Sequence, residues 1–392
     1  MDTTPHIDDT TLQDMLAALR RFVWDELVPL ERGIEDGGPL PPRLYRQMAD
    51  LGIFGLSIAP EHGGLGMNYS QEVQAHMVLS EAAQGFRYIY GTNVGIGSRS
   101  LSLDGTPEQK ARYLPQLASG ERLSAFCATE PDAGSDLANL TTRAERDGGD
   151  YLITGTKRFI TNADKAHLFT VLARTGAPGS GARGVSAFIV ERELPGLSIG
   201  PPEKKLGHRG GAICDVYFDR VRVPAGCIIG GVEGRGFATA MRTLDAGRLQ
   251  VAANSIGQMR RAIDEAARYA LQRRQFGRPV ADFQLVQALL ADSETDWFAA
   301  RTMVTETARL LDRDGHAGRE AACTKYFASE ALGRTADRCL QVLGGSGYLA
   351  DYPLERIFRD ARVARIYEGT SQIMQLIIAK DLLRRHGAST TS

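Results

Sequence analysis

Glu368 stands in the run Arg365-Ile366-Tyr367-Glu368-Gly369-Thr370-Ser371-Gln372-Ile373-Met374. A glycine follows it, and an apolar helix is predicted to begin at once. Thr370 or Ser371 is the expected N-cap, and Ile373, Leu376, Ile377 and Ile378 the expected buried stripe. A helix start leaves backbone N–H groups free and carries partial positive charge. A carboxylate beside such donors can accept a proton while its neighbours steady an oxyanion. That is the equipment for removing a proton α to a carbonyl. Taken alone, the same run also describes a solvated charge that suits the helix dipole.

Four further stretches carry groups that a cofactor could use. Phe126-Cys127-Ala128-Thr129-Glu130-Pro131-Asp132-Ala133-Gly134-Ser135-Asp136 leads from a strand-like start into a Gly/Ser loop. Thr129 and Ser135 offer hydroxyls, and the small residues let backbone donors approach a ligand; an ordinary surface turn has the same make-up. In Lys157-Arg158-Phe159-Ile160-Thr161-Asn162 an aromatic and a hydroxyl two positions apart share a strand face. The ring can cover a flat cofactor while Thr161 binds its edge, or the pair can be core Phe and edge Thr. Arg273-Arg274-Gln275-Phe276-Gly277, followed by Gln284, offers guanidinium forks for pyrophosphate, or a solvated basic helix end. Gln341-Val342-Leu343-Gly344-Gly345-Ser346-Gly347-Tyr348 is bare enough to let backbone approach a nucleotide. It is not G-x-G-x-x-G and no strand leads into it, which weighs against a dinucleotide-binding βαβ unit. Gly230 to Gly236 is also Gly-rich and reads as a linker.

Positioning these groups takes three regions. Residues 1–120 read as an N-terminal helical domain: Leu12, Leu16, Leu19, Val23 and Leu27 recur at helical spacing, and further helices are predicted over Arg43–Leu51, Ser70–Ala83 and Pro107–Leu117. Residues 121–232 read as a middle β-domain, a compact barrel or sandwich. Its predicted strands include two around a turn within Tyr151–Ile160, then Leu168–Ala173, Val185–Val190 and Val216–Val223. Residues 233–392 read as a helical bundle with a short polar tail from Gly387. Residues 282–314 hold neither Gly nor Pro, and Val286, Leu289, Leu290, Trp297, Ala300, Val304, Ala308 and Leu311 keep one face apolar. Strands do not alternate with helices, so the fold class is mostly α with a central β-domain. Helices this long are expected to bury a second face in an oligomer.

Composition excludes other classes. The chain has 392 residues, enough for two or three domains, and a net charge of −1, which gives no basic footprint for nucleic acid. No apolar run reaches membrane-spanning length. The start, Met1-Asp2-Thr3-Thr4-Pro5, resembles neither a signal nor a transit peptide, so the expected location is cytoplasmic. Five scattered cysteines form no CxxC pair and fit a reducing compartment. No metal-ligand spacing is present, so no metal site is expected.

Together the stretches resemble the acyl-CoA dehydrogenase family, flavoprotein desaturases of acyl thioesters, from about residue 10 to 385. Phe126–Asp136 is similar to that family's first signature, and Gln341–Tyr348 with Tyr367–Gln372 to its second. The resemblance implies a helical domain, a β-domain and a C-terminal four-helix bundle, in a homotetramer holding FAD. By position, Phe126, Ala128, Thr129, Gly134, Ser135, Phe159, Ile160 and Thr161 would bind the ring end of the cofactor. Arg273, Phe276 and Gln284, with Gln341, Val342, Gly344 and Gly345, would hold its pyrophosphate and adenosine from the neighbouring subunit. Thr370 and Gln372 would also contact it. Glu368 falls on the family's catalytic base, and Ser135, Asp245, Arg248, Tyr367 and Gly369 on substrate positions. Phe159 stands where many relatives have Trp. Gly247 stands where some branches place the base, which leaves Glu368 as the candidate.

The implied reaction is α,β-dehydrogenation of an acyl-CoA to the trans-2-enoyl-CoA, with an electron-transfer flavoprotein or similar acceptor. The same frame serves acyl-CoA oxidases, dehydrogenases of acyl carrier protein thioesters, and flavin-binding relatives without activity. The pocket floor is expected in Gly85-Phe86-Arg87-Tyr88-Ile89-Tyr90-Gly91-Thr92-Asn93, if that stretch is not plain inter-helix packing. Arg87 is expected at the surface there; its other reading is contact with an acidic acyl end.

Overall fold

Helix Asp9–Phe22 is capped by Asp8, whose carboxylate accepts from the Thr11 N–H at 2.9 Å. Its apolar stripe runs on through a π turn, Val23–Leu27, so Leu12, Leu19, Val23 and Leu27 are buried together. Helices Tyr69–Leu79 and Pro107–Ala118 each start in a capping box, Asn68 with Gln71 and Thr106 with Gln109. Between them, Arg87–Val94 and Ile96–Asp104 pack toward the middle of the molecule. This is a computed structural model, and it describes residues 7–177 and 179–387; the stretch Met1–Pro5 and the tail beyond Gly387 lie outside the described residues.

The β region is one curled, seven-stranded sheet. Its strands are β1 (Ser124–Cys127), β2 (Arg143–Asp147), β3 (Asp150–Thr161), β4 (Leu168–Arg174), β5 (Val185–Glu191), β6 (Leu197–Ile199) and β7 (Ile213–Pro224). The order is β1-β4-β2-β3-β7-β6, with β5 on β4. β1 runs parallel to β4, while β3–β7 and β4–β5 are antiparallel.

The two strands expected within Tyr151–Ile160 are a single strand. Gly155 marks a close approach rather than a turn, because a Cβ there would meet Thr142 Cα at 2.8 Å. The ladder to β7 is irregular twice, between Ile153 and Gly155 and again between Lys157 and Ile160. Lys157 pairs with Val216 and Ile160 with Cys214, so one extra residue bulges from β3. Within that bulge Phe159 has φ +58°, which breaks strict alternation and turns its ring out of the sheet.

The C-terminal region is built on helix Gly236–Gln272, buried nearly all round between Ala246 and Met259. Helices Gln284–Asp314, Gly318–Leu343 and Ser371–Arg385 complete the bundle, with the short Leu354–Ala361 beside it. Gly315, at φ +70°, ends helix Gln284–Asp314. Alanines at 252, 262, 266, 328, 331 and 336 let the backbones approach closely. The stripe expected on Ser371–Arg385 is not buried as predicted. Met374 is the buried apolar residue, Ile373, Ile377 and Ile378 are partly covered, and Leu376 is 65% exposed.

Two of the chemistry-bearing stretches are stitched together by a fully buried lysine. Lys157 Nζ donates to the Ala128 carbonyl at 3.0 Å and to Glu130 Oε1 at 2.8 Å. Glu130 also accepts from the backbone of Thr141 and Thr142, and Arg158 N–H donates to the Thr129 carbonyl at 2.8 Å. Burial opposes ionisation of Glu130, but Lys157 and these donors outweigh it and hold its carboxyl down to about 2. Removing one member of a buried pair leaves the other uncompensated. Lys157→Met is therefore expected to lower unfolding free energy by about 3–5 kcal/mol in urea titrations. Lys157→Met combined with Glu130→Gln should recover part of that loss, because the orphaned charge is gone.

Candidate active site

Glu368 has φ +53°, a left-handed conformation uncommon for a residue with a Cβ, and Gly369 follows at φ +99°. The pair turns the chain from the 3-10 turn Arg362–Arg365 into helix Ser371–Arg385. Thr370 is the N-cap: its hydroxyl accepts from the Ile373 N–H at 3.2 Å. Glu330 grips both sides of the break, taking Ser371 Oγ at 2.6 Å and Arg365 Nη1 at 3.2 Å. Lys325 Nζ donates to the Gly369 carbonyl at 2.5 Å. The strained turn is thus pinned to helix Gly318–Leu343 at several points.

These contacts aim the Glu368 carboxylate into a cleft between β-sheet, bundle and N-terminal helices. The cleft encloses about 1090 Å³, counting space open to solvent. From the sheet side come Phe126, Ala128, Thr129, Gly134, Phe159, Ile160 and Thr161; from the bundle, Leu244, Gln250, Tyr367, Glu368 and Gly369. Arg87, Tyr88, Gly91, Thr92 and Ile96 come from the N-terminal helices. The expected floor is there in part, since Arg87 to Thr92 border the cleft. Arg87 is not on the surface: its side chain is 15% exposed, and Nη2 lies 3.8 Å from Glu368 Oε1.

The carboxylate itself is nearly dry. Its side chain is 8% exposed, and Oε2 is buried with no hydrogen-bond partner among the described residues. Burial pushes the Glu368 carboxyl above the ordinary glutamate range, while Arg87, Lys325 and Arg248 pull it partly back. Burial brings the Lys325 ammonium down to about 8, with Glu368 opposing. The Glu368 backbone N–H makes no hydrogen bond to the described residues.

Gly247 explains where the carboxylate fits. A Cβ at that position would overlap Glu368 Oε2 and come within 3.2 Å of Ile96 Cγ2. Bare backbone on helix Gly236–Gln272 is the slot that receives the Glu368 carboxylate. The alternative base position and the carboxylate of Glu368 share the same space, so a side chain at one excludes the other.

Other predicted residues fall elsewhere. Ser135 is exposed on the loop beside Gly134 and does not line the cleft. Asp245 and Arg248 pair at 2.5 Å behind the lining, near enough for Arg248 to act on Glu368 through its charge. Arg273, Phe276, Gln284, Gln341, Gly344, Gly345 and Gln372 are exposed and lie outside the cleft of one chain. Phe276 is 92% exposed, whereas Val342 is buried. Thr370 serves as the cap.

Sequence reasoning placed Tyr88 and Thr92 only within the expected floor and missed His208, Gln250, Leu244 and Lys325. His208, at φ +54°, donates its N–H to Asp360 at 2.5 Å and sets its ring edge-on to Tyr88 and Tyr367. Burial, with Arg87 and Lys205 nearby, holds its imidazole neutral, down to about 3. No local pattern announces these residues; only the glycines beside His208 hint at a loop with a special backbone.

The sheet side fits a flat ring system. Phe159 is 52% exposed at the cleft, and Thr129 and Thr161 present hydroxyls on the same side. No side chain within 4 Å would crowd a Cβ at Gly134, so a ligand can pass over its backbone. No group of three or more His, Cys, Asp or Glu among the described residues is arranged to hold a metal.

Comparison with known proteins agrees over the whole length. Profiles for the acyl-CoA dehydrogenase N-terminal, middle and C-terminal domains match residues 9–121, 125–221 and 234–383. The chain belongs to the acyl-CoA dehydrogenase family. It is 40% identical to an acyl-CoA dehydrogenase of Bacillus subtilis, over 94% of this chain and 97% of that one. It is 39% identical to a subunit of the caffeyl-CoA reductase–Etf complex of Acetobacterium woodii, over 90% and 92%. Butyryl-CoA dehydrogenase from Megasphaera elsdenii superposes with a TM-score of 0.92 at 33% identity, over 98% of this chain and 100% of that one. A glutaryl-CoA dehydrogenase in complex with glutaryl-CoA gives 0.92 at 32%, over 98% and 97%. Members of this family are FAD-dependent oxidoreductases acting on acyl-CoA. No helix among the described residues is long and apolar enough to cross a membrane.

The slot at Gly247 is directly testable. Gly247→Ala is expected to fold but to displace the carboxylate, and misplacement of about 1 Å can cost 10²-fold. Stopped-flow reduction should slow by about that factor with flavin content and melting temperature retained.

Proposed function

We propose that this chain oxidises a saturated acyl-CoA between Cα and Cβ, giving the trans-2-enoyl-CoA, with Glu368 as acceptor of the α-proton. The observation that carries this is the buried carboxylate of Glu368, its Oε2 unpaired, on a cleft whose opposite wall suits a flavin. A group left without a partner in a dry site is costly unless a ligand completes it.

An α-proton beside a thioester is weakly acidic, so the base needs help. The free N–H of Glu368 can donate to the thioester oxygen as charge develops there. Lys325 holds the Gly369 carbonyl and so keeps that N–H in place. Burial makes Glu368 a stronger base than a solvated glutamate, and an acyl chain filling the cleft extends that burial. FAD, when bound, supplies the acceptor for the β-hydride. Phe126, Ala128, Thr129, Gly134, Phe159, Ile160 and Thr161, with Ser135 at the loop, would hold its ring end.

Arg273, Phe276 and Gln284, with Gln341, Val342, Gly344 and Gly345 and with Thr370 and Gln372, would hold the rest of FAD across a subunit boundary. Their exposure in one chain supports that reading, as do the uncovered Leu285, Phe298 and Leu376 on the bundle. A homotetramer would cover such faces. Ser135, Asp245, Arg248, Tyr367 and Gly369 would meet the substrate's thioester and pantetheine arm. Electrons would leave to an electron-transfer flavoprotein, a reading supported by the relative that works in an Etf complex. Five free thiols suit a cytoplasmic setting.

Glu368→Gln, mixed anaerobically with saturated acyl-CoAs, should bleach its flavin about 10²–10⁴-fold more slowly than wild type. Bleaching at the wild-type rate would remove Glu368 from the role. The pH profile is a second check. Activity should fall on the acid side with an apparent pKa above the ~4.3 of a solvated glutamate. Arg87→Gln removes a cation that favours the carboxylate, so this limb should move further up.

A further inference from the structure

Arg87 is a guanidinium without a matched partner. Its nearest carboxylate, Glu368, is 3.8 Å away, beyond hydrogen-bond reach. Its one side-chain hydrogen bond runs from Nη1 to the Tyr367 hydroxyl at 3.4 Å, and its buried Nε has none. The other arginines buried in this part of the fold each reach a carboxylate at hydrogen-bond distance, although Nε of Arg99, Arg248 and Arg356 is unpaired as well. Arg99 binds Glu72 at 2.6 Å, Arg248 binds Asp245 at 2.5 Å and Arg356 binds Glu31 at 2.9 Å.

The course of the side chain is built into its helix. One turn on, Gly91 is bare, and a Cβ there would meet Arg87 Cγ at 2.8 Å and Nε at 3.3 Å. The glycine lets the arginine lie along Arg87–Val94 and enter the cleft instead of leaving for solvent. Around it stand the polar groups of Tyr88, Thr92, His208 and Gln250, a lining poorly matched to a plain alkyl tail.

Arg87, Lys325 and Arg248 surround Glu368. Asp245 satisfies Arg248, and His208 is neutral. Lys325 is held by the Gly369 carbonyl with Glu330 nearby, which leaves Arg87 as the fork-shaped group free to take a second carboxylate.

We propose that the acyl thioester taken by this chain carries a carboxylate at its far end, and that Arg87 receives it. The nearness of Arg87 to the base keeps that acyl chain short. This rests on the cleft being an acyl-thioester site with Glu368 as base. The reaction is otherwise unchanged: an α-proton goes to Glu368, a β-hydride goes to FAD, and the distal carboxylate stays on the product. Arg87 is a specificity-determining residue.

The test uses FAD-loaded enzyme with butyryl-CoA, octanoyl-CoA, glutaryl-CoA and the methyl ester of glutaryl-CoA, read as flavin reduction. Dissociation constants measured calorimetrically in Glu368→Gln give a readout without turnover. Glutaryl-CoA is expected to exceed its methyl ester about 10- to 100-fold in kcat/KM and in affinity. Arg87→Gln should erase that ratio, and Arg87→Lys, which keeps the charge but not the fork, should restore part of it. Melting temperature and flavin content identify a variant that has simply failed to fold, and the wild-type ratio of acid to ester then decides alone. Preference for butyryl-CoA or octanoyl-CoA, or a ratio unmoved by Arg87→Gln in a folded protein, overturns the proposal and leaves the dehydrogenase reading standing. Reduction by none of the four overturns both.

Discussion

The structure turns on keeping one carboxyl group out of water with one of its oxygens unpaired. Glu368 sits in a left-handed turn, its outer oxygen seated over bare backbone at Gly247 with no partner. Such a placement costs backbone strain and desolvation together. Neither is tolerated unless the surroundings fix it. Lys325, Glu330 and the Thr370 cap supply that fixation, all from the bundle. The long helices therefore act as the rigid wall against which the Glu368 carboxyl is held in an unfavourable conformation.

Two opposing influences act on the Glu368 carboxyl. Burial raises the affinity of Glu368 for a proton, and three cations lower it. Two of the cations are committed elsewhere, Lys325 to a carbonyl and Arg248 to Asp245. Arg87 alone is free to respond to what enters the cleft. A ligand that drew it away would leave burial as the main influence on Glu368 and strengthen the base when substrate is present. Across the cleft, Lys157 and Glu130 make a closed, satisfied pair that orders the loop after β1. Closed ion pairs thus build the frame, and the open one lies where chemistry is expected.

Much of this was legible in the residues. Glu368, Phe126, Thr129, Phe159 and Thr161 could be picked out because their neighbours are glycines, caps and strand ends, whose meaning is local. Phe159 and Thr161 do meet in the cleft, though through a bulge rather than simple alternation, and no rule of spacing foretells a bulge. Gly155 read as a turn because a glycine that makes room for Thr142 looks the same in sequence as one that bends the chain. Leu376 read as buried because apolar spacing reports that a face wants covering, not whether this chain or another covers it. Arg87 and Lys325 were illegible in the other direction: a charge among apolar neighbours is normally outside, and only the packed structure shows Gly91 and Gly369 drawing them in. Arg273, Phe276 and Gln341 do not line the cleft of one chain, and spacing along the sequence carries no information on what covers them.

The account stands on Glu368 exchanging a proton with the α-carbon of a bound thioester. That exchange can be followed apart from hydride transfer, in a 3-thiaacyl-CoA whose β-position is sulfur and has no hydride to give. FAD-loaded enzyme in D₂O should wash deuterium into the α-position, detectable by NMR or mass spectrometry, and Glu368→Gln should not. Equal wash-in by both proteins, or none by the wild type while the analogue is bound, would contradict it.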